Sequence, residues 1–232
     1  MSSNFKAFVV REDGDGLFSN AIENRNIDDL PKGDLTIKVS FSSINYKDAL
    51  SASGNKGVTR NYPHTPGIDA VGTIEKSNSD LFTIGEKVIV TSYDLGMNTD
   101  GGFAEYVQVP AEWAVKLPKK MTMKEAMIYG TAGLTAGMSV LRLTELIAPN
   151  RGKIAVSGAT GGVGALSVSI LSKLGYSVVA ITGKETERDY LISLGVDSSK
   201  VSTVSYGKER PAVVGSNKGA WSQNRRSVTI VN

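Results

Sequence analysis

The chain has 232 residues, 41% of them hydrophobic and 21% charged, the balance of an ordinary globular protein with room for one large or two small domains. With no cysteine and one histidine, His64, it can form no disulfide, no four-cysteine zinc site and no catalytic zinc centre built from cysteine and histidine. The formal charge of +3 belongs to the last stretch, where Lys208, Arg210, Lys218, Arg225 and Arg226 face one acid, Glu209; everything before it carries −1, and no basic face with interleaved aromatics suggests a nucleic-acid surface.

No apolar run approaches the length of a membrane span, and "MSSNFKAFVV" lacks the apolar core of a signal peptide, so the expected setting is cytoplasmic. From the start to about Ala114 the chain is β-rich. The β-prone runs are "FKAFVV", "LTIKVSFSSI", "AVGTIEK", "EKVIV" and "FAEYVQVP", with turn clusters such as "REDGDG" and "TPGID" between them. Alternation in "LTIKVSFS" predicts a half-buried strand with Leu35, Ile37, Val39 and Phe41 on one face. Short strands at this spacing point to a small barrel-like domain. "KDALSA" implies a short helix, in which Asp48 either caps or orients its neighbours, and His64 in "YPHTPG" fits a loop or packing role.

The texture changes at "TMKEAMIYGTAGLTAGMSVLRLTEL". Thr122 precedes Glu125 by three residues, a capping-box signature, while Gly130, Gly133 and Gly137 predict two helices or a close-packed helix interface instead of one rod. A turn at Pro149–Gly152 leads into an apolar strand, Lys153–Val156. Then come a glycine-rich loop, a helix over Val163–Leu174, a strand over Tyr176–Thr182, a helix over about Thr186–Leu194 and a third strand in "KVSTVS".

The loop lies in "SGATGGVGALSVSI", Ser157 to Ile170. Aligned on the dinucleotide fingerprint, Ala159, Gly161 and Gly164 fill the small-residue positions. These serve a tight turn, close approach to a pyrophosphate, and close helix–strand contact. A pyrophosphate would sit on the N–H groups and positive dipole end of the following helix. An NAD site usually ends its second strand near Asp or Glu; here the chain reads Thr182-Gly183-Lys184. Lys184 and the Thr182 hydroxyl suit a 2′-phosphate and favour NADP, while Glu185, one residue on, leaves a ribose contact and NAD open.

"SSINYKDAL", "PHTPGIDAVGTI", "GEKVIV", "GGFAEYVQVP", "WAVKLP", "GTAGLTAGMSV" and "SGATGGVGALSVSILSKLGY" occur in one order. Together they resemble the medium-chain dehydrogenase/reductases. With "ITGKE", the wording is similar to the zinc-independent quinone-oxidoreductase-like branch that includes acryloyl-CoA reductases. The resemblance runs from about Phe5 to Val201. It implies an α/β plus β fold, with a GroES-like β-barrel substrate domain over residues 1–120 and an incomplete Rossmann NADP-binding domain over 121–207. It also implies NADPH-dependent, zinc-independent reduction of an activated double bond, in an enoyl-CoA or a quinone, and a homodimer. By the same resemblance Tyr46 contacts the cofactor near its nicotinamide. Thr160, Gly161, Gly162 and Val163 form the pyrophosphate loop, and Thr182, Gly183 and Lys184 surround the 2′-phosphate. Asn45 and Tyr46 can donate hydrogen bonds to the acceptor's carbonyl oxygen; no acid–base residue is assigned.

The stretch 208–232 departs from that pattern. Three further strands with their helices need about 75 residues. The sequence therefore suggests a truncated product, through a reading-frame change near Glu209 to Gly215, with a basic tail of its own. The rival readings are a non-catalytic NADP-binding or interaction protein and, lowest, a structural paralogue without activity.

Overall fold

The computed structural model describes residues 4–183, 185–198 and 215. Lys184, the strand expected in "KVSTVS" and all of the tail except Gly215 lie outside the described residues. The chain forms two compact units, Met1–Thr131 and Ala132–Asn232.

In the first unit β1 (Asn4–Glu12) and β2 (Phe18–Asn26) make an antiparallel hairpin closed through "REDGDG". β3 (Leu35–Phe41), β4 (Asp69–Ser77), β5 (Lys87–Thr91), β6 (Tyr106–Val109) and β7 (Ala114–Lys116) make a five-stranded antiparallel sheet in the order β6-β3-β4-β5-β7. The sheet is open among the described strands; single bridges Ala7–Ala104 and Val10–His64 bring β1 to neighbouring loops. Its core is Leu35, Ile37, Ile74, Val88, Val90, Leu95, Val107 and Val109, each 0–1% exposed. Burying each is worth about 2 kcal/mol.

The apolar face expected in β3 is buried only at Leu35 and Ile37, and the alternation is broken at both ends of the strand. Leu35, Thr36 and Ile37 are all buried because β3 is flanked by β6 and β4, whereas Phe41 is 45% exposed. The pairing with β4 shifts register between Val39 and Phe41, and that irregularity takes Phe41 off the core face. β2 and β7 are not expected from sequence. β2 has no buried residue and its apolar Phe18, Ala21 and Ile22 do not alternate, so it has no strand period to read, and β7 is three residues long.

α1 (Tyr46–Ala52) follows the cap residue Asn45. α2 (Met123–Thr144) opens on the expected capping box: the Thr122 N–H donates to Glu125 Oε2 at 2.8 Å and the Glu125 N–H to Thr122 Oγ1 at 3.2 Å. It is two helices joined at Gly130, whose φ of 47° and ψ of −151° are not helical.

In the second unit β8 (Lys153–Ser157) pairs in parallel with β9 (Ser177–Ile181), from Lys153↔Ser177 to Ser157↔Ile181. The crossover is α3 (Gly162–Lys173), and α4 (Arg188–Ser193) follows β9. Ile154, Val168, Leu171, Val178, Ala180 and Leu191 are buried together. This is the β–loop–α–β unit read from the sequence, with its glycine loop at the C-terminal ends of the parallel strands, where such sheets bind ligands.

Candidate functional site

Two groups of residues carry chemistry, one in each unit. In the first, the carboxylate of Asp69 is fully buried at the head of β4. Its Oδ2 accepts from Ser43 Oγ (2.5 Å), Asn45 Nδ2 (2.8 Å) and the Thr131 N–H (3.0 Å). Its Oδ1 accepts from Thr131 Oγ1 (2.7 Å) and from the Thr91 hydroxyl. Burial alone would raise its pKa. The donated bonds outweigh burial and hold it below the ordinary carboxylate value. One anion thus ties the loop before α1, the end of β5 and the break in α2 together.

Gly130 makes that convergence possible. A Cβ there would lie 2.6 Å from both Asp69 Oδ2 and Ser43 Oγ, and the backbone conformation is one that side chains rarely adopt. The break in α2 therefore aims the next N–H, that of Thr131, at the carboxylate.

Asp48 proves to be the structural cap. It is 2% exposed and accepts from the N–H groups of Asn45 (2.7 Å) and Ile68 (2.9 Å). Its pKa is raised, mainly by burial. Orientation of the Asn45 amide falls to Asp69, a residue that sequence reasoning misses; its signal is an acid set among apolar residues at the start of a strand, in "PGIDAVG". Tyr46 opens α1 with 80% of its surface exposed. His64 has the packing role expected: it is 3% exposed, with Nε2 3.0 Å from the Gly96 carbonyl.

In the second unit Gly161 caps α3 with extended backbone, and its N–H donates to the Gly158 carbonyl at 2.8 Å. The first N–H groups of α3, those of Gly162 and Val163, have no acceptor within the helix, and its first turn holds no acid. A Cβ on Gly164 would overlap the Gly158 oxygen, so only glycine lets the helix approach the loop this closely. Ala159 is buried and its N–H donates to the Ile181 carbonyl at 3.1 Å. The Thr160 and Thr182 hydroxyls lie 3.0 Å apart, fastening the loop to the end of β9. Thr182 is only 5% exposed and its hydroxyl faces Thr160, while Gly183 beside it is exposed. A cavity of about 580 Å3 runs along β8 and the start of α3, lined by Ser157, Gly158, Gly161, Gly162 and Val163. An anion is suited to this end of the unit: helix-terminal amides, a helix dipole and no competing carboxylate. Among the described residues, no group of three His, Cys, Asp or Glu side chains forms a metal site, and no helix is long and apolar enough to cross a membrane.

Residues 31–119 match the alcohol dehydrogenase GroES-like domain. The chain is 47% identical over 196 residues to the putative quinone oxidoreductase YhfP of Bacillus subtilis, covering 84% of this chain and 59% of that one. It is 41% identical over 193 residues to the acrylyl-CoA reductase AcuI of Ruegeria pomeroyi, covering 82% and 58%. Among solved structures it resembles the yhdH oxidoreductase of Salmonella enterica in complex with NADP, with a TM-score of 0.81 and 40% identity over 87% of this chain and 61% of that one. It also resembles Bacillus subtilis yhfP with NAD bound, at a TM-score of 0.83 and 44% identity over 91% and 63%.

The chain belongs to the medium-chain dehydrogenase/reductase superfamily.

It spans about three fifths of the length of the curated relatives it matches. In the superfamily's terms, the first unit carries the GroES-like part and the second carries the opening β–α–β of the dinucleotide domain.

Proposed function

We propose that the protein is an NADPH-dependent oxidoreductase that reduces an activated double bond, in an acryloyl-CoA-like enoyl thioester or a quinone, by zinc-independent hydride transfer. The observation that carries this reading is the glycine loop. A helix N-terminus free of acids is held against the loop at Gly158 by a contact that only Gly164 permits, and the loop is fastened to the end of β9 through Thr160 and Thr182.

The residues present fit a dinucleotide. Thr160, Gly161, Gly162 and Val163 would form the pyrophosphate loop, with the backbone N–H groups of Gly162 and Val163 at the start of α3 holding the phosphates, and Gly183 with Lys184 would meet the 2′-phosphate. One solved relative carries NADP and another NAD; on this reading the segment after β9 is where the choice between them is made. When bound, the cofactor supplies a hydride to the β-carbon of the acceptor.

The chain's own residues bind and orient. Asn45, its amide fixed by Asp69, and Tyr46 offer hydrogen bonds to the acceptor's carbonyl oxygen, where negative charge grows. Asp69 does not suit proton donation, because it accepts from five donors that favour its ionised form. Asp48 is engaged by two backbone N–H groups as the cap of α1. A cytoplasmic homodimer acting on a small molecule completes the proposal.

The test is oxidation of NADPH by the purified chain with acryloyl-CoA and, separately, with menadione. Turnover with either acceptor supports the proposal and selects the substrate. Nucleotide binding without turnover on both overturns it in favour of a non-catalytic NADP-binding protein.

A further inference from the structure

Ser92 and Tyr93 are the two described non-glycine residues with positive φ, 71° and 53°, and they are consecutive. Nothing in the turn's composition requires this conformation, which side chains adopt only when their surroundings impose it. The segment is fixed at both ends. Thr91 donates to the buried Asp69 carboxylate, and Leu95 is wholly buried in the core of the five-stranded sheet. Between these anchors the Tyr93 ring is held outward, 57% exposed. One face lies against Trp113, with ring centroids 5.4 Å apart and planes within 5° of parallel. Trp113 itself packs on the core. The other face of Tyr93 is thus a flat, rigid aromatic surface open to a ligand. Through Thr91 the segment is tied to the same carboxylate that orients Asn45, the residue preceding the exposed Tyr46.

We propose that Tyr93, backed by Trp113, is a stacking platform for the planar conjugated ring of the acceptor, which makes it a specificity-determining residue that favours a quinone over a short acyl thioester. Offset stacking of flat rings is the geometry aromatic pairs prefer, and a platform already stacked on one side loses no rotamer freedom when a ligand adds to the other. This inference rests on the reading of the protein as a reductase of activated double bonds, and deepens it by naming the acceptor class.

The test needs no turnover. The chain has two tryptophans, Trp113 and Trp221. In a Trp221→Phe background, titration with menadione in the absence of nucleotide should quench Trp113 fluorescence saturably. Tyr93→Phe keeps the ring and should bind within about twofold of the parent. Tyr93→Gly removes the ring at a position whose backbone suits glycine, so it folds, and should bind about tenfold more weakly. Equal menadione affinity in the glycine and phenylalanine variants, or a quench that never saturates, overturns the platform. Coenzyme A as the titrant separates the other source of a flat ring: saturable quenching by it that is lost in Tyr93→Gly puts adenine on the platform and overturns the quinone assignment. Because no hydride moves in this assay, failure of the reductase proposal would appear separately, as absent NADPH oxidation with ring binding intact.

Discussion

Asp69 accepts a hydrogen bond from the Asn45 amide at 2.8 Å, its carboxylate fully buried and the amide half-buried. The amide is one half of a fixed arrangement in which a buried carboxylate, satisfied by five donors, sets the position of three separate segments. Buried charge is tolerated only when hydrogen-bonded in this way, and the same bonds make the position sensitive to substitution.

Asp69→Asn keeps the shape but turns an NH2 group toward donors. We expect a loss of about 3 kcal/mol, since a charged acceptor is removed and buried donors are left unpaired. The folded carboxylate has a lowered pKa, so its contribution is full above the unfolded value, near 3.9, and is lost as pH falls through the folded one. Melting temperatures of parent and variant should therefore differ most at neutral pH and converge below about pH 4.

Gly130→Ala places a methyl group 2.6 Å from Asp69 Oδ2 in a left-handed backbone. The expected cost is about 2 kcal/mol, read by chemical denaturation. An alanine at Gly137, where added bulk meets nothing, is the control and should cost far less.

Gly164→Ala acts on the second unit. Its new Cβ must push α3 away from the Gly158 carbonyl, and the loop amides move with it. Nucleotide-induced stabilisation should disappear while the far-ultraviolet circular dichroism of the chain is kept.

Thr160→Val removes the contact to Thr182 and with it one hydroxyl pair. The expected loss is about 1 kcal/mol in the apo chain. Nucleotide affinity should fall as well, because the loop is no longer fastened to β9.

Much of this is legible in the sequence because it is local. The capping box at Thr122 and Glu125 involves residues three apart, and the β8–loop–α3–β9 order follows from glycines and two apolar runs. What escapes is non-local or exposed. Asp69 draws on residues up to 62 positions away, so no spacing rule points to it. β2 buries none of its residues, so no core-facing apolar period marks it, and it is a strand through its pairing with β1. Within α2, Leu134, Met138 and Leu141 recur at helical spacing yet remain 42–64% exposed, so that apolar period does not mark a buried face.

The most direct measurement is thermal melting of the chain alone, with saturating NADPH and with saturating NADH. A ligand bound only by the folded state raises the transition by mass action. The account predicts a cooperative transition raised by NADPH more than by NADH, and a preference reversed or abolished by Lys184→Glu. A transition indifferent to both nucleotides would contradict it.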